Sequence, residues 1–168
     1  CASEKEIADV IFQFGEERYS RRMAKRIVIE RQEARISTTG QLAEIVKEAN
    51  PAWEKDKHPA TRAFQAIRIH INDELGEIVQ GLDSALDLLR DGGRLVVISF
   101  HSLEDRIVKK FLAEKAKGDN FPRDLPITTA FLNPTLKKIG KPIKATEQEI
   151  ANNPRARSAV MRVAEKLN

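Results

Sequence analysis

The sequence has a single cysteine, few aromatic residues and no long apolar run. Cys1 is the only cysteine among 168 residues, so the chain can form neither an internal disulfide bond nor a cluster of thiolate metal ligands. No apolar stretch approaches the ~20 residues that a membrane-spanning helix needs. Residues 1–6 lack the basic-then-apolar pattern of a signal peptide. These absences favour a protein of the reducing cytoplasm that has no membrane partner.

Charge is plentiful, and its positive excess is unevenly placed. The net charge of +4 matches the balance of residues 119–168, which hold nine Lys/Arg against five Asp/Glu. A second local excess lies within residues 18–35, where only Glu30 and Glu33 oppose the cations. An excess of this size permits a nucleic-acid partner but does not require one.

The stretch 91–110 organises the rest of the chain. Gly92-Gly93 predicts a turn, and the run Leu95–Ile98 predicts a strand buried on both faces, as in a parallel sheet. Apolar residues at helical spacing follow at once. A polar cluster therefore lies where a strand ends and a helix begins, which is the edge where open α/β sheets bind ligands. Its members are Ser99, His101, Ser102, Glu104, Asp105 and Arg106.

Before this stretch the sequence predicts helices, and after it one or two weak strands. Capping boxes open helices at Ser3 and Thr38, apolar spacing predicts further helices over 19–31 and from Thr61, and Gly15 is expected to end the first helix. Residues 118–144 are expected to be irregular, with 126–132 as either an edge strand or a short helix. Alternation over 158–164 predicts a last strand. So few strands make a poor sheet, which indicates that part of the sheet lies outside this chain.

Each candidate for chemistry has a structural alternative. Ser99, His101, Ser102 and Asp105 contain the ingredients of a nucleophilic triad, but no G-x-S-x-G elbow is present, and Asp105 is placed to cap or orient. His101 is either a hydrogen-bonded structural residue or part of a substrate-binding wall. The three histidines lack ligand spacing, so no metal site is predicted. Trp53 is either a packing anchor or a stacking platform for a base.

Four segments resemble the bacterial MraW/RsmH family of ribosomal RNA methyltransferases. They are FGEERYSRRMAKRIV from Phe14, KHPATRAFQAIRIHINDEL from Lys57, ISFHSLEDRIVKKF from Ile98 and NPRARSAVMRVAEK from Asn153. The resemblance covers essentially this whole chain but not the whole length of the family's proteins. It implies an α/β fold with two parts: a helical, substrate-binding insertion over residues 1–60 and the C-terminal half of a Rossmann-like class I methyltransferase core over residues 61–168.

The resemblance also implies a function. Members use S-adenosylmethionine to methylate N4 of a cytidine in 16S ribosomal RNA, so the implied partner is that RNA or the small ribosomal subunit. The alternative is a non-enzymatic RNA-binding or assembly module. The family's cofactor-binding loop belongs to its N-terminal half, and Gly92-Gly93 precedes a strand instead of following one. We therefore expect no cofactor-binding residues in this chain, no activity of the chain alone, and self-association through an exposed sheet edge.

The resemblance and the charge pattern together suggest two sets of site residues. Ser99, His101, Ser102 and Asp105 are expected to line the wall of the active site. The basic helix over 19–31 is either a solvated face or a surface that contacts phosphates, and Arg155 and Arg157 are either loop charges or phosphate clamps. The expected RNA-binding residues are Arg18, Arg21, Arg22, Lys25, Arg26, His58, Arg62, Arg68, Asn72, Arg155 and Arg157.

Overall fold

The computed structural model of the protein describes residues 2–52, 58–118 and 133–167. These residues divide into two compact units, Cys1–Glu74 and Leu75–Asn168, which we call the helical unit and the sheet unit. The predictions made for Trp53 and for residues 126–132 lie outside the described residues. No described helix is long and apolar enough to span a bilayer.

The helical unit consists of α1 (Glu4–Gly15), α2 (Ser20–Glu33), α3 (Thr39–Ala49) and α4 (Thr61–Asn72). Both predicted capping boxes are confirmed, with the Glu6 N–H donating to Ser3 and the Gln41 N–H donating to Thr38 at 3.2 Å each. Helix α1 packs against α2 and α4, and α2 packs against α3. The apolar stripes meet in one core, which contains Ile11, Met23, Ile27, Val46, Ala49, Ala60 and Ala63.

Close packing of α1 on α4 explains Gly15. A Cβ atom at this position would lie 2.7 Å from the Arg62 carbonyl oxygen, so a larger residue would push the helices apart. Helix α1 ends at Gly15, as expected, and the left-handed residue that follows it is Glu16, with φ 49°. Because α4 belongs to this packing, the helical unit extends to Glu74. The division of function at residue 60 stays a prediction.

The sheet unit contains α5 (Glu74–Leu88), β1 (Arg94–Ser99), α6 (Ser102–Lys117), β2 (Leu136–Lys144), α7 (Glu147–Asn152), a 3₁₀ turn (Pro154–Ser158) and β3 (Val160–Lys166). The helix predicted from Thr61 is confirmed as α4, and Asp73, with φ 48°, separates it from α5. The predicted last strand is confirmed as β3. The expectation of irregular chain over 118–144 is wrong for Leu136–Lys144, which form β2. The Lys, Gly and Pro residues of this segment hide the alternation of a strand. Residues 119–132 lie outside the described residues.

The three strands form an antiparallel sheet in the order β1–β3–β2. One face packs under the helices, in a core of Leu82, Leu86, Leu95, Val108, Phe111, Leu112, Leu136 and Ala164. On the other face, Val96, Ile98 and Ile143 are 52–54% exposed. The prediction that β1 lies in a parallel sheet and is buried on both faces is therefore wrong for this chain, since β1 has one antiparallel neighbour and one open face.

Candidate RNA-contacting and active-site surfaces

The polar cluster at the end of β1 forms a capping box at the start of α6. The Glu104 carboxylate accepts from the backbone N–H groups of Phe100 at 2.8 Å and His101 at 3.2 Å. In return, His101 Nδ1 accepts from the Glu104 N–H at 3.4 Å. These donors at the helix N-terminus are therefore already satisfied within the protein.

The ring of His101 is held in one orientation by this cap. Since Nδ1 accepts a hydrogen bond, the proton of the neutral ring is on Nε2. That buried nitrogen lies 3.2 Å from Glu104 Oε1 but lacks the alignment of a hydrogen bond. This arrangement gives His101 a structural role, and its role in an active-site wall stays a prediction.

Asp105 is bound by a residue from the far end of the chain. Arg162 on β3 donates from Nε and Nη2 to the two carboxylate oxygens, at 2.7 and 2.8 Å. The hydrogen bonds from Arg162 hold the pKa of Asp105 below its usual value, burial opposes that shift, and the positive charges of Lys109 and Lys144 add to it. The hydrogen bonds to Asp105 raise the pKa of Arg162. The two groups together fasten α6 to the sheet.

The two serines of the cluster have different surroundings. Ser99 is 3% exposed, at the end of β1 on the face covered by helices, whereas Ser102 is exposed at the first residue of α6. The four predicted wall residues therefore meet at one strand–helix junction, but they do not form one open polar surface. Arg162 was missed from the sequence because its partner Asp105 is 57 residues away.

Helix α2 exposes the cations that the sequence placed on it. Its buried residues are Ser20, Met23, Ala24 and Ile27, while Arg21, Arg22, Lys25 and Arg26 are exposed. Arg26 contacts Glu30 at 2.7 Å and Glu48 on α3 at 3.4 Å. A cavity of about 280 Å³ beside these residues is lined by Arg22, Lys25, Arg26, Ile29, Glu48 and Ala49. The basic face of α2 is therefore concave and open to a ligand.

The other expected RNA-binding residues of the helical unit already have local partners. Arg68 donates to both carboxylate oxygens of Glu74, at 2.7 and 3.0 Å, and Asn72 donates to the same group at 3.4 Å. Arg62 donates to the Glu16 carbonyl at 3.3 Å, and His58 Nδ1 accepts from the Ala60 N–H at 3.2 Å. These contacts hold turns and helix ends in place.

Three arginine candidates remain. Arg18 lies over the ring of Tyr19, 4.5 Å from its centroid, next to the basic face of α2. In the sheet unit, Arg155 and Arg157 are exposed on the 3₁₀ turn that leads into β3. That turn is fixed by the Asn153 side chain, which accepts from the Arg155 N–H at 3.2 Å. A role of Arg155 and Arg157 as phosphate clamps stays a prediction.

Among the described residues, no glycine-rich loop follows a strand and opens a helix, which is the arrangement that holds the phosphates or ribose of a nucleoside cofactor. Gly93 belongs to the turn before β1, where a Cβ atom would lie 2.7 Å from the Arg90 carbonyl oxygen. Between β1 and α6 there is no glycine, and the capping box occupies the N–H groups of Phe100, His101 and Glu104. Among residues 2–52, 58–118 and 133–167, no group of three or more His, Cys, Asp or Glu side chains could hold a metal ion.

Fold and site together are those of a mixed helix–strand protein, with a small antiparallel sheet and a helical unit that exposes cations on α2. A family model described as the MraW methylase family matches residues 1–167. The chain belongs to the MraW methylase family, and the resemblance noted in its sequence is confirmed. Membership of a methylase family implies a methyl donor.

Two curated relatives carry the same name. The chain is 60% identical over 166 residues to the ribosomal RNA small subunit methyltransferase H of Chromohalobacter salexigens. It is 57% identical over 166 residues to the protein of that name in a Marinomonas species. The matches cover 98% and 99% of this chain but 50% and 53% of the relatives. The chain therefore spans about half the length of the curated relatives that it matches.

Proposed function

We propose that this chain is the RNA-contacting C-terminal portion of an enzyme that methylates N4 of a cytidine in bacterial 16S ribosomal RNA. The observation that carries the proposal is the exposed, concave basic face of α2 in a chain that belongs to a methylase family. Lys and Arg on such a face neutralise phosphates and set the position of the RNA. The site of action is the cytoplasm, on free 16S RNA or on the small ribosomal subunit.

Positioning is the chief contribution that these residues can make. The exocyclic amine of cytosine is a weak nucleophile, because its lone pair is delocalised into the ring, so alignment of the reacting groups matters strongly. The base must also leave its stack to be reached. In this proposal α2 grips the surrounding phosphates, while Ser102 and His101 at the start of α6 form part of the wall beside the base.

S-adenosylmethionine is the methyl donor that we propose for the complete enzyme. It supplies an electrophilic methyl group, and we assign its main binding residues to polypeptide outside this chain. Two observations support that assignment: no described glycine loop follows a strand, and Glu104 and His101 occupy three of the backbone N–H groups at the start of α6. We therefore expect the 168-residue chain alone to be inactive.

A non-enzymatic RNA-binding or assembly module is the second candidate. It is favoured by the structural roles of His101 and Asp105, each of which is held by a partner inside the sheet unit. The complete protein distinguishes the two candidates. Small subunits that lack the modification would be incubated with it and S-adenosylmethionine, and their RNA digested to nucleosides for mass spectrometry. N4-methylcytidine is the expected product, whereas RNA binding without this product would support the module.

The free edge of β1 supports a further part of the proposal. Strand β1 pairs with β3 along one edge, and Val96 and Ile98 are more than half exposed on the open face of the sheet. An unpaired edge with apolar neighbours is a template for another strand. We infer that the isolated chain associates with a second copy of itself through this edge and face.

A further inference from the structure

Strand β2 is interrupted by a bulge whose residues project from the edge of the sheet. Ile139 lies opposite Val163 and Ile143 opposite Met161, so residues 140–142 together face the single residue Arg162. Gly140 has φ 67°, and Pro142 has no N–H to donate, so the interruption suits the residues that form it. The bulge turns the outer edge of the sheet into an irregular, solvent-exposed surface.

Lysines surround this bulge. Lys138, Lys141 and Lys144 are exposed on β2, and Lys109 is exposed on α6. A cavity of about 140 Å³ at the bulge is lined in part by Lys109, Lys138 and Lys141. Lys109 and Lys144 are both close enough to Asp105 to act on its carboxylate. We call these four lysines the β2 basic surface.

The four lysines of this surface are not held in ion pairs within the described parts of the chain. Lys109 and Lys144 act on the Asp105 carboxylate from a distance, but Arg162 occupies both of its oxygens. Cations that lie close together repel one another, so an anion that binds among them gains electrostatic energy.

Protection of the sheet edge is the simplest alternative explanation. Edge strands often carry lysines that prevent pairing with another chain, and β2 is an edge strand of this sheet. That explanation does not account for Lys109, which belongs to a helix. It also predicts that charges of either sign serve equally well, which separates it experimentally from anion binding.

We propose that the β2 basic surface binds the phosphates of an RNA strand, as a second RNA contact in addition to α2. A strand of seven residues from Lys138 to Lys144 spans at most ~20 Å, so one isolated phosphate can touch only part of the surface, whereas a polynucleotide can follow it. The inference rests on the proposed function, because it assigns a further surface to the same class of partner. The run KKIGKPIK over 137–144 is the sequence signal for it.

The test is a charge reversal with a matched control. The variant carries Lys138→Glu, Lys141→Glu and Lys144→Glu, and the control carries Lys5→Glu, Arg90→Glu and Lys110→Glu, which changes the net charge by the same amount at residues outside both basic surfaces. Binding of a fluorescein-labelled 16S RNA fragment is measured by anisotropy at several salt concentrations. Circular dichroism checks the fold of each protein.

The expected result is a weaker and less salt-dependent complex for the β2 variant alone. Loss of three phosphate contacts makes the slope of log K against log salt shallower by about 2, with an affinity loss of roughly tenfold or more at low salt. The control should change the slope by much less. Should the triple variant fail to fold, the single Lys141→Glu change in the bulge should still flatten the slope by about 0.7.

A neutral variant separates RNA binding from edge protection. Lys138→Gln, Lys141→Gln and Lys144→Gln should also weaken RNA binding if the lysines contact phosphates. The inference is overturned if the Glu variant binds RNA like the control while the Gln variant self-associates. If the unmodified chain binds RNA through α2 and the β2 substitutions leave the affinity and the salt dependence unchanged, only the inference fails. If it binds no RNA at all, the proposed function and the inference fail together.

Discussion

The helical unit and the sheet unit expose different kinds of surface. In the helical unit Ile11, Met23 and Val46 are completely buried, and the outer face of α2 presents cations. In the sheet unit the polar groups at the strand–helix junction are engaged with one another, while Val96 and Ile98 face solvent. The first surface suits a polyanion, and the second suits further polypeptide.

This difference indicates how the two units depend on their surroundings. The basic face of α2 sits on a helix whose apolar stripe is already packed, so its charges can be changed without disturbing a core. Among the described residues, helices cover one face of the sheet only, and an exposed apolar face of this kind marks an interaction surface. Substitutions in each unit test this difference, and the largest effect is expected on α2.

Reversal of the α2 charges should abolish most of the RNA affinity without unfolding the helical unit. Arg21→Glu, Arg22→Glu and Arg26→Glu remove three exposed cations, so we expect an affinity loss of roughly tenfold to a hundredfold and a flatter salt dependence. Anisotropy with the labelled RNA fragment measures both, with the Lys5, Arg90 and Lys110 reversal as control. An unchanged affinity and slope would show that α2 is only a solvated face.

Loss of the Asp105–Arg162 pair should destabilise the sheet unit. Asp105→Asn removes a partly buried, two-point ion pair, which we expect to lower the free energy of unfolding by about 2 kcal/mol. The matched control is Asp83→Asn, since Asp83 lies 3.0 Å from Lys115 but is largely exposed, and it should cost less than about 1 kcal/mol. Urea unfolding measures both. Equal losses would contradict the role assigned to Asp105.

The same pair gives stability a dependence on acid pH. The folded-state pKa of Asp105 lies below that of the unfolded chain, so the pair stabilises the protein above the unfolded value of about 3.9 and loses this contribution as the pH falls through the folded pKa. The difference in unfolding free energy between the unmodified protein and Asp105→Asn should therefore be constant near neutrality and shrink in acid. A difference that grows in acid would reverse the assigned sign.

Polar substitutions on the open sheet face should reduce self-association. Val96→Thr and Ile98→Thr keep the β-branched shape of strand residues but make the exposed face less apolar, so folding should change little. Sedimentation velocity of the isolated chain should shift towards the monomer. The matched change Val10→Thr, in the helical unit, should leave the association state unaltered. A chain that is monomeric before any substitution would exclude the proposed association.

Substitution of His101 should have the smallest effect on the free energy of unfolding. Its ring provides one long cap contact, so His101→Ala should cost about 1 kcal/mol or less. If His101 also lines the active-site wall, turnover by the complete enzyme should fall by far more than this cost explains. Thermal unfolding and methyl-transfer assays of the same samples separate the two effects. Parallel small losses would leave His101 with a structural role alone.

Local patterns predicted much of the helical unit, because helix periodicity and capping boxes are local signals. Ser3 and Thr38 mark helix starts that the structure confirms. Strand β2 was missed because pairing with β3, and not its own sequence pattern, makes it a strand. The expected burial of β1 on both faces failed for a related reason, since burial depends on strands and helices that the sequence of β1 does not specify.

The sequence did not reveal which charged residues form ion pairs within the fold. No sequence pattern predicts that Arg162 binds Asp105, which is 57 residues away. Likewise, no pattern predicts that the Arg68 guanidinium binds Glu74. Charge alone selected Arg21 and Arg22, which are exposed on α2, together with Arg26 and Arg68, which contact glutamates. Only the geometry separates cations that are available to RNA from cations that fasten the fold.

Titration calorimetry of the 168-residue chain tests the central claim most directly. One preparation of folded protein is titrated with the 16S RNA fragment and, separately, with S-adenosylmethionine. The account predicts that the chain binds the RNA and gives no saturable heat with S-adenosylmethionine, because no described loop fits the cofactor and the junction donors are occupied. Stoichiometric, micromolar binding of S-adenosylmethionine without affinity for the RNA would contradict the account.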